Sequence, residues 1–308
     1  MRPRCEGDAV SRTSTQEVFS RTAQQAAKAV ISNYSTSFGL ATSLLGSSHR
    51  HHIRNIYALV RIADEIVDGL AADAGLGVRE QYALLDDFAS ATRNALRSGV
   101  SDNLIIHAFA ETARAAEITV DLIEPFFASM RADVAAPGEP LAPVRSFHPD
   151  ELRDYVYGSA EVVGLMCLRV FLLDQHRTPA QIEQLENGAR ELGAAFQNIN
   201  FLRDLADDSQ RLHRSYLTAA SRLTDSDKSA WVKRIRQQLS YAEGTTSLLP
   251  KDARAAVRGA AALFAALNDK IAATPVDHLY RERVRIPNVV KASLAAKAVM
   301  LTMKDGRP

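Results

Sequence analysis

The sequence carries two pairs of aspartates at four-residue spacing, each inside an otherwise apolar segment. One pair is Asp64 and Asp68, and the other is Asp204 and Asp208. Side chains four residues apart lie on the same face of an α-helix, so each pair forms one acidic stripe. Two such stripes facing one core would repel each other unless a strong positive charge lay between them. This constraint favours a helical fold in which divalent cations and a phosphorylated substrate bridge the two stripes.

A helical period of apolar residues runs through nearly the whole 308-residue chain, and convincing strand alternation is absent. We therefore expect an all-α fold. The predicted helices span residues 16–32, 36–45, 50–70, 77–98, 101–116, 119–131, 149–173, 178–206, 226–244, 250–275 and 286–303. Three prolines and a glycine between residues 135 and 143 predict a loop inside one domain. Residues 1–15 are expected to be disordered, and residues 16–308 to form a single all-α domain.

Composition argues against several classes of function. A formal net charge of +1 gives no bulk electrostatic attraction for nucleic acid. Cys5 and Cys167 are too few and too far apart for a disulfide framework or a thiolate metal site. The N-terminus does not resemble a secretory signal, and no stretch reaches the roughly 20 apolar residues that span a bilayer. We therefore expect a cytoplasmic protein.

Polar residues extend the first acidic stripe along its helix. Tyr57 and Arg61 precede Asp64 and Asp68 at helical spacing. For this stripe alone, the simpler interpretation is a solvated helix surface on which Arg61 pairs with Asp64 and Glu65. The second stripe weakens that interpretation, because amide and carboxylate side chains in line make a poor core unless they coordinate a ligand.

The second stripe has four polar members at helical spacing, which are Gln197, Asn200, Asp204 and Asp208. Arg203 stands beside Asp204 and could neutralise a phosphate group. A short basic stretch over residues 211–216 follows, and it is suited to binding anionic oxygens.

Together these motifs resemble the squalene/phytoene synthase family, the head-to-head prenyl transferases of the all-α isoprenoid synthase fold. The first motif resembles the family's first aspartate-rich signature at Tyr57, Arg61, Asp64 and Asp68. The second resembles its Gln-x-x-Asn-x-x-Arg-Asp-x-x-x-Asp signature at Gln197, Asn200, Arg203, Asp204 and Asp208.

Weaker matches follow in the same order as in the family and extend the resemblance from residue 35 to about residue 217. They are Ser35 to Phe38, Tyr155 to Gly164 and Arg214 to Tyr216. The basic segment 281–291 resembles the family's C-terminal tail loosely. Tyr34 departs from the family, which often carries a histidine there.

The resemblance implies a single-domain isoprenoid-synthase helical bundle around a central cavity that binds prenyl diphosphates. It implies Mg²⁺ as cofactor, or Mn²⁺ in its place, and no NADPH is expected. The implied metal ligands are Asp64, Asp68, Asp204 and Asp208. The implied catalytic residues are Tyr57, Arg61, Tyr155, Gln197, Asn200 and Arg203. The implied substrate-binding residues are Ser35, Phe38, Thr42, Gly164, Arg214, Tyr216, Arg283 and Lys291.

Within that family the sequence favours a phytoene synthase. Such an enzyme condenses two geranylgeranyl diphosphates through a cyclopropylcarbinyl diphosphate, the first committed step of carotenoid biosynthesis. Thr42 lies one helical turn after Phe38 and leaves a longer tunnel than an aromatic residue would. A C30 synthase using farnesyl diphosphate, a cyclising terpene synthase and a non-catalytic scaffold of the same fold stay open as alternatives.

A very apolar product favours peripheral association with the inner face of a membrane. For this role the sequence offers dispersed basic residues, which are Arg50, His51, His52 and Arg54. The histidines of this run are predicted to form a solvated basic turn and not a metal site, because successive residues point in different directions. The sequence predicts no particular oligomeric state.

Overall fold

Helices dominate the protein in a computed structural model that describes residues 14–134, 145–212, 214–218 and 222–305. The loop predicted at 135–143 and residues 1–13 lie outside the described residues. In chain order the helices are α1 (Thr15–Tyr34), α2 (Thr36–Ser43), α3 (Ser47–Asp68), α4 (Leu70–Asp73), α5 (Val78–Ser98), α6 (Leu104–Ala115), α7 (Val120–Asp133), α8 (Pro149–Val156), α9 (Val162–Phe171), α10 (Pro179–Arg203), α11 (Leu205–Gln210), α12 (Asp225–Thr245), α13 (Lys251–Ala273), α14 (Val276–Leu279) and α15 (Asn288–Lys304). The expectation of an all-α fold is confirmed.

Local sequence signals explain where several of these helices begin. Ser14 caps α1 in a capping box with Glu17, so the helix begins inside the segment that we expected to be disordered. Thr178 caps α10 by accepting a hydrogen bond from the Gln181 N–H, and Pro179 occupies the first turn. Asn103 caps α6, two residues after the predicted start.

Two irregular pieces join the helices near the site. Tyr157–Glu161 forms one π-helical turn between α8 and α9. The hydroxyl of Ser129 on α7 donates a hydrogen bond of 3.1 Å to the Tyr155 carbonyl, which satisfies a buried acceptor beside this turn. A two-residue parallel pairing joins β1 (Arg145–Ser146) to β2 (Arg214–Ser215).

The two largest hydrophobic clusters of the described residues include different halves of α10. One surrounds Phe109, Phe126 and Phe127 and joins α3 to α5, α6, α7 and α9. The other surrounds Tyr155 and Phe201 and joins α8 and α10 to α12 and α13. Because apolar packing fixes α3 and α10 along their lengths, the polar stripes at their C-terminal ends are held in defined positions.

Candidate active site

A cavity of about 440 Å³ lies between α2, α3, α9, α10, α12 and α13. The N-terminal turns of α3 and α10 give it an apolar lining, which includes Ile53, Ile56, Leu185 and Ala189. The C-terminal turns of the same helices supply its polar lining, and we call this polar end the mouth. The polar residues of the mouth are Tyr57, Arg61, Asp64, Gln197, Asn200, Arg203 and Arg283. The first members of both predicted stripes therefore line one end of one cavity, whereas Asp68, Asp204 and Asp208 lie outside its lining.

The first wall of the mouth is the last two turns of α3. Arg61 reaches Asp64 at 3.4 Å between Nη1 and Oδ2 and also forms an ion pair with Glu65. Its guanidinium lies 4.7 Å from the centre of the Tyr34 ring. The simpler sequence interpretation, in which Arg61 pairs with both acids, is correct about the contacts. It is wrong about the location, because Arg61 and Asp64 line the cavity and are only about one third exposed.

The second wall is the junction of α10 and α11. α10 ends at Arg203. Asp204 is the C-cap of α10 and also the N-cap of α11. The sequence predicted a continuous helix to residue 206. At this break the guanidinium of Arg203 pairs with the carboxylate of the adjacent Asp204. Arg203 Nη2 lies 2.5 Å from Asp204 Oδ2, and Arg203 Nε lies 2.9 Å from Asp204 Oδ1. Arg283 pairs with the same carboxylate at 2.7 Å between Nε and Oδ1.

One aspartate of each wall has a raised pKa. Partial burial and then the carboxylate of Asp68 raise the pKa of Asp64 to about 7. Burial and then the carboxylate of Asp204 raise the pKa of Asp208 to about 8. Within the described part of the chain, Asp208 forms no ion pair. Each wall thus has one aspartate whose charged form is disfavoured, although on the first wall Arg61 still reaches Asp64.

Arg214 joins the first wall to the end of α7. Its Nη1 donates to Oδ1 of Asp68 at 2.7 Å, and its Nη2 donates to the backbone carbonyl of Asp133 at 2.8 Å. Arg211, at the end of α11, donates to the Asp68 carbonyl at 2.8 Å. The basic stretch predicted to bind substrate oxygens is therefore tied to the first acidic wall in this structure.

Asp133 at the end of α7 is a buried acid that sequence reasoning missed. It accepts a hydrogen bond of 2.5 Å from the Tyr155 hydroxyl and one of 2.7 Å from the Tyr216 hydroxyl. Burial raises its pKa to about 6, although Arg214 and both hydroxyls act to lower it. The only local sequence signal was an acid closing an apolar helix, and helices commonly end that way on the surface.

The aromatic rings behind the mouth form two groups. Tyr155 and Tyr216 pack with Phe147 and Phe201, so Tyr216 serves the anchoring of Asp133 and does not line the cavity. Phe38 lies in the cavity wall, where its ring centre is 6.0 Å from that of Tyr57. Burial raises the pKa of Tyr57, so its hydroxyl stays neutral at physiological pH.

The remaining predicted site residues divide by location. Ser35, Thr42, Gly164, Gln197 and Asn200 line the cavity. Ser35 also caps α2 by accepting a hydrogen bond of 3.0 Å from the Phe38 N–H. Lys291 lies apart from this lining, and its Nζ donates to the Thr36 hydroxyl at 2.6 Å.

Two glycines bring α9 and α10 into close contact along the cavity. A Cβ atom at Gly164 would lie 2.5 Å from the backbone oxygen of Ala189, and one at Gly193 would lie 2.6 Å from that of Ala160. Neither position has room for a side chain. Gly164 therefore shapes the wall through the backbone approach that it permits.

The oxygen donors at the mouth are of the type that Mg²⁺ prefers. Burial and then neighbouring negative charge raise the pKa values of Asp64 and Asp208, and the buried Oδ1 of Asn200 has no hydrogen-bond partner among the described residues. A cation would relieve both conditions, so the residues present fit the ion. In the described ranges, no three acidic, histidine or cysteine side chains converge closely enough to form a metal site on their own. The predicted ligand set stays a prediction.

The basic run at 50–54 has internal partners. Arg50 donates to the Leu45 carbonyl, and the His52 ring bonds the Thr112 hydroxyl at 2.9 Å. Burial, with His51 and then His49 adding to it, lowers the pKa of His52 to about 4. In the parts of the chain that the structure describes, no helix is both long and apolar enough to cross a bilayer.

Comparison with known proteins identifies a family with a matching sequence pattern. The family model for squalene/phytoene synthase matches residues 31–221. The chain is 30% identical over 297 residues to phytoene synthase 3 of Zea mays, which covers 89% of this chain and 65% of that protein. It is 29% identical over 212 residues to 4,4'-diapophytoene synthase of Staphylococcus haemolyticus, covering 68% and 67% of the two chains. The chain thus spans about two thirds of the length of these relatives.

Solved structures share the fold at low sequence identity. A dehydrosqualene synthase in complex with a ligand superposes with a TM-score of 0.74 at 19% identity, over 92% of this chain and 98% of that chain. A squalene synthase from Alicyclobacillus acidocaldarius superposes with a TM-score of 0.67 at 17% identity, over 84% and 97%. These neighbours identify the all-α isoprenoid synthase fold. The family match extends over most of the chain and includes both acidic walls, so this protein belongs to the squalene/phytoene synthase family.

Proposed function

We propose that this protein is a head-to-head prenyltransferase that condenses two geranylgeranyl diphosphates to phytoene. The observation that carries the proposal is the convergence of two acidic walls and three arginines at the mouth of one apolar cavity. The mouth suits diphosphates and the cavity suits prenyl chains. The reaction releases both diphosphates and needs no NADPH.

The arginines of the mouth bind diphosphate oxygens in this proposal. Arg61 and Arg203 line the cavity, and Arg283 lies against Asp204 at the rim. Guanidinium groups match phosphate oxygens through paired hydrogen bonds. Mg²⁺ bound by Asp64, Asp68, Asp204 and Asp208 would supply neutralising charge that makes diphosphate a competent leaving group.

The cavity wall stabilises positive charge and excludes water. Ionisation of the first substrate leaves an allylic cation, which the double bond of the second substrate attacks to give a new carbocation. Loss of a proton from this carbocation closes the ring of the cyclopropylcarbinyl diphosphate. Phe38 and Tyr57 present aromatic rings at the position where this charge develops, and the amide oxygens of Gln197 and Asn200 orient the reacting ends. A second ionisation, rearrangement and proton loss complete the product.

Product length is the finer part of the proposal. Thr42 and its neighbours Ala41, Ala256 and Ala260 give the cavity small side chains where aromatic residues would shorten it. This supports C40 over C30, as does the similarity to the Zea mays phytoene synthase. The similarity to the Staphylococcus haemolyticus diapophytoene synthase favours C30 as the second candidate, with farnesyl diphosphate as substrate.

Product chromatography of the purified protein with labelled substrate tests the proposal. We expect a C40 hydrocarbon from geranylgeranyl diphosphate and Mg²⁺ alone, with no gain from NADPH. A C30 product from farnesyl diphosphate only would replace phytoene by the second candidate. Coupling of neither substrate would overturn the enzymatic proposal and leave a scaffold role of the same fold.

A further inference from the structure

Helix α15 exposes an apolar stripe to solvent. Val289, Met300 and Met303 are 82%, 58% and 58% exposed, and the exposed Ala292 and Ala296 lie between them. On a helix with 3.6 residues per turn, these five side chains fall within an arc of about 80°. Proteins that work alone in water rarely expose a contiguous apolar surface of this kind.

The opposite face of α15 is firmly packed. Ala295, Ala298 and Thr302 are buried, and Ala298 lies against Gly259 of α13. Thr302 also donates a hydrogen bond of 2.9 Å to the Ala298 carbonyl. The exposed stripe is therefore a fixed surface of the fold and not the misplaced core of a loose helix.

Positive charge is concentrated around this stripe. The segment from residue 283 to residue 304 holds five basic residues and no acidic one, although the formal net charge of the whole chain is only +1. Lys297 and Lys304 are both exposed and lie beside the stripe. Asp305, which follows, forms an ion pair with Arg258.

The same segment borders the mouth of the cavity. Arg283 pairs with Asp204 of the second wall, and Lys291 donates to Thr36 at the start of α2. Two residues further on, Phe38 of α2 lines the cavity. A ligand bound along α15 would therefore lie next to the opening.

We infer that the exposed face of α15 docks on an anionic lipid bilayer. Val289, Met300 and Met303 enter the boundary between headgroups and acyl chains, and Lys297 and Lys304 contact lipid phosphates. A second copy of the chain fits this face less well, because pairing would oppose two surfaces of the same positive charge. The predicted basic run at 50–54 is a poorer candidate, since Arg50 and His52 already have internal partners.

The lipid surface does not depend on the proposed reaction. The connection between this surface and product release does rest on the proposed reaction, because only a long hydrocarbon product needs a membrane at the mouth. Vesicle binding without substrate tests the surface, and product chromatography tests the reaction. A protein that binds vesicles and couples nothing would refute only the reaction.

Vesicle flotation of the full chain is the experiment. We expect binding to vesicles that contain phosphatidylglycerol, little binding to pure phosphatidylcholine, and release as salt is raised. Two sets of substitutions, V289S/M300S/M303S and K297E/K304E, should each lower the partition coefficient about tenfold or more. All five side chains are exposed, so unchanged melting temperatures should accompany the loss.

Matched controls remove the same chemistry from other surfaces. V18S/V100S replaces exposed valines outside α15, and R79E/K233E reverses two exposed charges on α5 and α12. Both should bind as wild type does. Wild-type binding by the α15 variants, or equal binding to neutral vesicles, would overturn the inference. So would a dimer in sedimentation velocity that the α15 substitutions abolish, since that result assigns the face to a second copy.

Discussion

The two acidic walls of the mouth have the same spacing of aspartates but different ways of holding them. On α3 the helix is continuous, and the arginine that neutralises Asp68 comes from residue 214, far along the chain. On the second wall the helix breaks at Asp204, and the neutralising arginines are the adjacent Arg203 and the C-terminal Arg283. The first wall therefore depends on tertiary structure, whereas the second is partly local.

In spite of this difference, each wall has one aspartate with a raised pKa, which is about 7 for Asp64 and about 8 for Asp208. Asp68 and Asp204 have arginine nitrogens at 2.7 Å or closer, and these pairs fix the geometry of the walls. Arg61 reaches Asp64 only at 3.4 Å, and Asp208 forms no ion pair among the described residues. A cation bound at Asp64 and Asp208 would favour the charged form of both carboxyls.

The substitution Asp133→Ala is the strongest test of the tertiary contacts that hold the first wall. It removes the acceptor of Tyr155 and Tyr216 and leaves Arg214 with less neutralising charge in a buried position. We expect a loss of about 3–5 kcal/mol in the free energy of unfolding, measured by urea denaturation. Asp207→Ala is the control, because Asp207 is exposed and Arg211 is its one ion-pair partner among the described residues, and it should cost at most about 1 kcal/mol. Equal losses would contradict the anchoring role.

Replacing Asp208 and Asp204 one at a time separates their contributions to the coupling rate from their contributions to stability. Asp208→Asn should lower the coupling rate about 10²–10³-fold and raise the melting temperature of the metal-free protein at neutral pH, because an amide has no charged form for burial and Asp204 to disfavour. Asp204→Asn should lower the rate similarly but also cost about 1 kcal/mol of stability, since it strips a partner from Arg203 and Arg283. Opposite shifts in melting temperature are the discriminating result.

The pH dependence of stability tests the raised pKa values of Asp64 and Asp208 together. The ordinary pKa of an aspartate is about 3.9, and the folded values of Asp64 and Asp208 lie above it. The folded protein then holds protons that the unfolded chain releases, so this contribution to stability is lost as pH rises from about 4 to about 8. The double variant D64N/D208N should show a smaller fall in melting temperature over that range. A wild-type slope in the variant would assign the effect to other groups.

Thr42 lines the cavity and belongs to neither acidic wall, so a substitution there should alter the length of the product and not the ionisation of the substrate. Thr42→Phe should shift the product ratio from C40 towards C30, while diphosphate release per enzyme changes by less than about tenfold. Thr42→Ser keeps the space and serves as the control. An unchanged ratio in Thr42→Phe would exclude position 42 as a determinant of length.

Much of the fold follows from local chemistry. Apolar periodicity located the long helices, and Thr178 with Pro179 marked the start of α10 correctly. The convergence of the two stripes followed from the cost of burying like charges. Asp133 could not be found in this way, because its partners Tyr155 and Tyr216 lie far from it in the sequence and only the packed fold brings them together. The helix break at Asp204 was also missed, since Leu205 to Gln210 continue the helical pattern.

The glycine contacts between α9 and α10 have a consequence for how this cavity can change over evolution. At Gly164 and Gly193, any larger residue would collide with the backbone of the neighbouring helix, and no rotamer change can relieve a backbone collision. That side of the cavity is fixed by the fold itself. Replaceable lining side chains lie elsewhere, as at Thr42 of α2 and Ala256 of α13. If the proposed reaction is correct, a lineage can change the length of its product there while both acidic walls stay as they are.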